Sequence, residues 1–173
     1  MKNQQIAIIG ANQDLCNQDL YDFVYQVGKI LSKFDITVLN GGKGGVMEAV
    51  SKGIFENKNR KAKIVGILPE KDTSLGNNFL DITICTGLGE MRNSLIVSSA
   101  DFVIAFGGGS GTLIELGFCA KYQKKTFCYK TETGWSSYFS EHNIDERNSG
   151  LLVCFSNIEE LESLINLELK KSS

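Results

Sequence analysis

The sequence is poor in the residues from which many sites are built. Its 173 residues include one proline and one histidine. That histidine, His142, lies in a polar stretch, so a histidine-rich metal centre is excluded and a Ser-His-Asp triad would depend on it alone. The five cysteines, at 16, 85, 119, 128 and 154, are odd in number and show neither a C-x-x-C pair nor a zinc-ligand spacing. No metal is therefore expected, and a reducing cytoplasm is the expected location. Basic charge is also scarce. Eighteen Lys+Arg against twenty Asp+Glu leave a net charge of −2, with no basic stripe to hold a polyanion, so nucleic acid is not an expected partner. Nor is there a long apolar run near the start. Ile6 to Ile9, after Met1-Lys2-Asn3-Gln4-Gln5, is too short for a signal peptide or a membrane span, and no membrane partner is expected.

With 42% hydrophobic and 22% charged residues, the composition is that of an ordinary globular chain. A chain of this length buries about two-thirds of its unfolded surface, so one domain over 1–173 with an unassisted core is expected. Apolar runs of strand length alternate with stretches of helical period, the pattern of βαβ units around a parallel sheet. Strands are expected at 6–9, 36–39, 64–68, 101–106, 126–129 and 151–155, with a short edge strand at 81–85. Helices are expected over about 20–34, from 46, over 90–99, from Thr112 to about Tyr122, and over 158–169, the last capped through Ser156-x-x-Glu159 or Asn157-x-x-Glu160. The run Phe102 to Phe106 is apolar at every position, which marks a central strand covered on both faces. The fold class read from this pattern is a Rossmann-like α/β protein, its mainly parallel sheet flanked by helices on both faces. Residues 130–150, with Trp135, Tyr138 and Phe139 among polar neighbours, read either as a lid or as a long connection.

Glycine is plentiful, at 18, and many of these residues gather in two places. One cluster is Gly41-Gly42-Lys43-Gly44-Gly45 before Val46; the other is Gly107-Gly108-Gly109-Ser110-Gly111 before Thr112. Each follows a strand and opens a helix. Bare glycines let backbone N–H groups approach a ligand closely, and a helix start adds free donors and a positive dipole end, so phosphate is the expected guest. Neither loop is a Walker A sequence or a G-x-G-x-x-G, which argues against an ATPase or a dehydrogenase. The two loops together are read as gripping one phosphorylated small molecule, with tight turning as the plainer alternative. Thr112-x-x-Glu115 is equally a capping box or a carboxylate presented to the ligand. Arg92, near a helix start, calls for an anionic partner: Glu115, Glu90 or the ligand phosphate, unless it is simply solvated. Lys43 is the other candidate for meeting a phosphate.

Gly107-Gly108-Gly109-Ser110-Gly111-Thr112-Leu113-Ile114-Glu115 is similar to the P-G-G-x-G-T-x-x-E motif of the Lonely Guy (LOG), or lysine-decarboxylase-like, family. Met91-Arg92 stands where that family has M-x-x-R-K, and Gly41 to Met47 resembles its G-G-G-x-x-G-L-M. Gly107 replaces the motif proline and Asn93 the lysine. Both changes bring the chain closer to a neighbouring branch that includes molybdenum cofactor carrier proteins. The resemblance implies a homodimer that cleaves the N-glycosidic bond of nucleoside 5′-monophosphates. It also implies Arg92 and Glu115 as the catalytic pair, and Gly108, Gly109, Gly111 and Thr112 as phosphate ligands. No cofactor is required for that reaction; an AMP-like nucleotide, or the molybdenum cofactor in the carrier branch, is the implied bound molecule.

Overall fold

The computed structural model describes residues 3–131, 133–144 and 151–171. In chain order the elements are β1 (Gln4–Gly10), α1 (Gln18–Leu31), β2 (Ile36–Asn40), α2 (Val46–Phe55), β3 (Lys63–Leu68) and β4 (Ile82–Cys85). They continue with α3 (Asn93–Ser99), β5 (Phe102–Phe106), α4 (Ser110–Lys121), β6 (Thr126–Tyr129), α5 (Trp135–Glu141), β7 (Leu152–Phe155) and α6 (Ile158–Lys171). The strands form one parallel sheet in the order β4-β3-β2-β1-β5-β6-β7. The Rossmann-like α/β class is the one expected.

The unbroken apolar strands follow from two cores, one on each face. Alternate residues of β1 divide between them: Ile6 and Ile8 pack with α1, α2 and α6, while Ala7 and Ile9 pack with α3, α4 and α5. Phe102, Ile104 and Phe106 of β5 join the first core, and Val103 and Ala105 the second. A strand buried on both faces has no polar side to show, which is why the sequence shows no alternation there.

Some boundaries differ from expectation. The 90–99 helix is a 3-10 turn, Gly89–Arg92, followed by α3. Of the two caps read for α6, Asn157 serves: its Oδ1 accepts from the Glu160 N–H at 2.9 Å, while the Glu160 carboxylate accepts from the Ser156 N–H at 2.7 Å. Within 130–150, α5 packs against the β6 and β7 end of the sheet. The lid reading falls partly outside the described residues, at 132 and 145–150.

Strand order reverses between β1 and β5, because the chain leaves β1 toward β2 and later returns to β1's other side. In a doubly wound sheet the crevice beyond the carboxyl ends of such strands is where a ligand is expected. The loops after β1, β2 and β5 meet there. The Ala11 N–H donates to the Phe106 carbonyl and the Val46 N–H to the Ala11 carbonyl, each at 3.0 Å, which ties the three loops into one frame.

Candidate functional site

After β5 the backbone turns through Gly107 (φ +58°) and Gly108 (φ +92°). A side chain at Gly108 would both occupy left-handed backbone and collide with Thr112, so this position requires glycine. The turn is held from outside. Gly107 N–H donates to Ser136 Oγ at 2.5 Å, and the Gly107 and Gly108 carbonyls accept from Ser136 N–H and Trp135 N–H at 3.1 Å each. Ser136 is fully buried and its hydroxyl donates onward to the Tyr129 carbonyl at 3.0 Å. With those two peptides turned toward α5, the next ones open α4. Its N-cap is Gly109 and no side chain caps it, so the first-turn N–H groups remain available to a ligand. Thr112 is the third helical residue rather than the cap. The capping-box reading of Thr112 and Glu115 is thereby corrected: the helix begins at Ser110.

At the end of β2, buried Asn40 shapes the other glycine loop. Its Oδ1 accepts from the Gly42 N–H at 2.7 Å, and its Nδ2 donates to Ser51 Oγ at 3.0 Å. Asn77 closes the loop from the far side, donating its N–H to the Gly42 carbonyl at 2.8 Å and its Nδ2 to the Lys43 carbonyl at 3.0 Å. Lys43 Nζ lies 2.8 Å from Glu70 Oε1.

Arg92 ends the 3-10 turn and is only 6% exposed, so the solvated alternative does not hold. Its Nη1 lies 3.7 Å from Glu115 Oε1 and donates to the buried Asn93 Oδ1, while its buried Nε has no partner among the described residues. The guanidinium also presses on the first loop. A Cβ on Gly41 would lie 2.7 Å from Arg92 Nη2 and 2.7 Å from Met47 Sδ, so a bare backbone is what admits the arginine. Glu115 is likewise 6% exposed. Burial pushes its carboxyl up to about 8; Arg92 opposes the rise and Glu90 adds to it. At 3.7 Å the pair is too loose to offset desolvation, so burial shifts Glu115 toward its neutral form.

These groups line one cavity of about 510 Å³, in the range that takes small ligands. Of the residues predicted from the sequence, Gly41, Lys43 and Gly44 face it from the first loop. Gly109, Ser110, Gly111 and Thr112 face it from the second, and Arg92 and Glu115 close it. Gly42, Gly45, Gly107 and Gly108 do not line it. Gly42 is engaged by Asn40 and Asn77, and Gly45 caps α2 against the Ala11–Asn12 backbone. Gly107 and Gly108 are bonded to α5 and border a second cavity of about 820 Å³ with Leu20 and Tyr129.

Sequence reasoning missed Asn12, Gln13 and Asp14, on the loop after β1, and Glu70, after β3. The first strand of a doubly wound sheet ends at the crevice, and that was the available signal. A search guided by glycine density passes it over. Among the described residues no cluster of His, Cys, Asp or Glu is arranged to hold a metal, and no helix is long and apolar enough to cross a membrane.

A seven-stranded parallel sheet with its crevice at the reversal of strand order defines a Rossmann-like α/β protein. The profile of the SLOG cluster4 family matches residues 3–161, and the chain belongs to that family. An uncharacterised protein of Archaeoglobus fulgidus is 41% identical over 130 residues, 75% of this chain and 82% of that one. The molybdenum cofactor binding protein from the phototrophic bacterium Rippkaea orientalis is 30% identical and superposes with a TM-score of 0.81, over 98% of this chain and 99% of that chain. The molybdenum cofactor carrier protein from Chlamydomonas reinhardtii is 22% identical with a TM-score of 0.83 over the same shares, a likeness of fold alone. The family match and the 30% identity to the Rippkaea orientalis protein bear out the motif resemblance to the LOG family, in the branch that includes molybdenum cofactor carriers.

Proposed function

We propose that the cavity binds a small 5′-phosphorylated ligand, a nucleoside 5′-monophosphate, and cleaves its N-glycosidic bond to free base and ribose 5-phosphate. The observation that carries this reading is the buried Arg92–Glu115 pair, in the same cavity as the uncapped first turn of α4. The phosphate accepts from N–H groups of Ser110, Gly111 and Thr112 at the positive end of the helix, with Lys43 and the Gly44 backbone on the opposite wall. One turn further along, Glu115 faces the ribose. Its carboxylate stabilises the positive charge that develops at the anomeric carbon and orients the attacking water, as carboxylates do in oxocarbenium-like glycoside cleavage. Arg92 holds Glu115 in place and favours its ionised form. No cofactor and no nucleic acid enter this scheme. A homodimer suits it too: Met91, Leu95 and Ile114, on the elements that carry Arg92 and Glu115, are exposed apolar side chains, and sedimentation tests that assembly.

A second reading is supported by the 30% identity to the Rippkaea orientalis protein across nearly the whole chain. In it the same cradle holds molybdenum cofactor as cargo, through its phosphate, and nothing is hydrolysed. One experiment separates the two. Purified protein is incubated with a panel of nucleoside monophosphates, and free base is read by chromatography beside Glu115→Gln and Arg92→Ala. Base release by the wild type alone supports the hydrolase; binding of AMP without release from any nucleotide gives first place to the carrier.

A further inference from the structure

The cavity is an unusual host for a phosphate dianion, because its walls carry four acidic side chains, Asp14, Glu70, Glu90 and Glu115, against two basic ones, Lys43 and Arg92. Arg92 is buried and bonded to Asn93, with Glu115 at 3.7 Å. Lys43 is the more exposed of the two cations, and it is held by Glu70 at 2.8 Å.

We infer that Glu70 is a built-in competitor for the ligand: its carboxylate keeps Lys43 until a phosphate takes its place, so that Glu70 sets how tightly the cavity binds anions. This inference rests on the phosphate reading above. Three observations carry it. Both side chains line the cavity, so an anion held between the start of α4 and the first loop would compete with Glu70 for the same ammonium group. The pair is about one-third exposed on each side, 33% and 36%, and ion pairs of that exposure are weak enough for a dianion to displace. The lysine backbone, by contrast, is fixed: its carbonyl accepts from Asn77 Nδ2, so the exchange needs only a rotation of the long side chain. The hydrogen bond from Lys43, with a smaller contribution from the Arg92 charge, holds the Glu70 carboxyl below the usual glutamate range. It therefore stays a full negative charge throughout the neutral range. Glu70 acts through Lys43 and is a positioning residue.

Binding of inorganic phosphate and of AMP is measured by calorimetry at low salt for the wild type, Glu70→Gln, Lys43→Met and the double variant. Thermal melts confirm that each is folded, and Glu70→Ser replaces Glu70→Gln if that variant is not. Glu70→Gln is expected to bind both anions about two- to fivefold more tightly, the range set by a partly exposed ion pair, and in the Lys43→Met background the gain disappears. An equal gain in that background would mean plain repulsion between Glu70 and the ligand and would overturn the inference. So would unchanged or weaker binding by Glu70→Gln. Wild-type protein that binds neither anion would bring down the phosphate reading itself, and this inference with it.

Discussion

Arg92, at the end of the 3-10 turn, and Glu115, on α4, reach each other Nη1 to Oε1 at 3.7 Å, with both residues 94% withdrawn from solvent. Neither finds a better ionic partner among the described residues, and the guanidinium also contacts the loop that begins at Gly41. Opposite charges in low dielectric normally draw tight. Here the gap leaves desolvation dominant and pushes the carboxyl toward its neutral form, and the first prediction follows from that.

Glu115 should set opposite pH dependences for activity and stability. Its folded-state value of about 8 lies above the ordinary 4.5, so from pH 4.5 to 8 the native state holds a proton that the unfolded chain has released. Stability therefore falls as pH rises through that window and levels off above it. Glu115→Gln removes this penalty, and the difference in melting temperature, variant minus wild type, should grow from pH 4.5 to 8. The kcat/KM of the wild type should rise over the same interval if the ionised carboxylate is the working form. A flat difference in melting temperature would refute the assignment.

At saturating nucleotide, Glu115→Gln should lower turnover by about 10²- to 10⁴-fold while leaving AMP affinity nearly unchanged. Calorimetry and chromatographic base release, run on the same preparation, check both parts.

Gly41→Ala places a methyl group 2.7 Å from both Arg92 Nη2 and Met47 Sδ. Overpacking of this kind costs about 1–3 kcal/mol. The melting temperature should drop by roughly 2–4 °C for each kcal/mol lost, and turnover should fall further than stability does, because the displaced group is the arginine.

Ser136→Ala leaves the Gly107 N–H and the Tyr129 carbonyl without their shared buried partner. The expected cost is about 1–3 kcal/mol in chemical denaturation. AMP binding should weaken as well, although Ser136 does not line the cavity; affinity equal to that of the wild type would show that the glycine turn holds its shape unaided.

Asn40→Ala and Ser51→Ala remove the two ends of one buried hydrogen bond, yet only Asn40 also holds Gly42. Both should destabilise the protein. Only Asn40→Ala should weaken AMP binding appreciably, as read by titration of the two variants side by side.

Much of the fold was legible because period and burial coincide in it. The central strands of the sheet correspond to buried apolar runs in the sequence, and α1 is readable from Val24, Val27 and Leu31 on one face. Local signals misled where a tertiary partner decides. Thr112-x-x-Glu115 has the form of a cap, but Gly109 starts the helix and Glu115 turns toward Arg92. Arg92 is buried although its own stretch of sequence does not say so: its guanidinium lies against the loop at Gly41 and beside Glu115, which no window around residue 92 contains. Glycine density located both loops but not which peptides face inward. That choice depends on Ser136, 29 residues beyond Gly107.

The fastening of the Gly107–Gly108 turn to the start of α5 has a kinetic corollary. Three hydrogen bonds must break together before the turn can swing free, so the glycine turn and the β6–α5 segment should open as one cooperative unit. Deuterium uptake at the Gly107 amide should then proceed at the pace of α5 unravelling, and anything that pins that short helix would also slow the exchange of the turn.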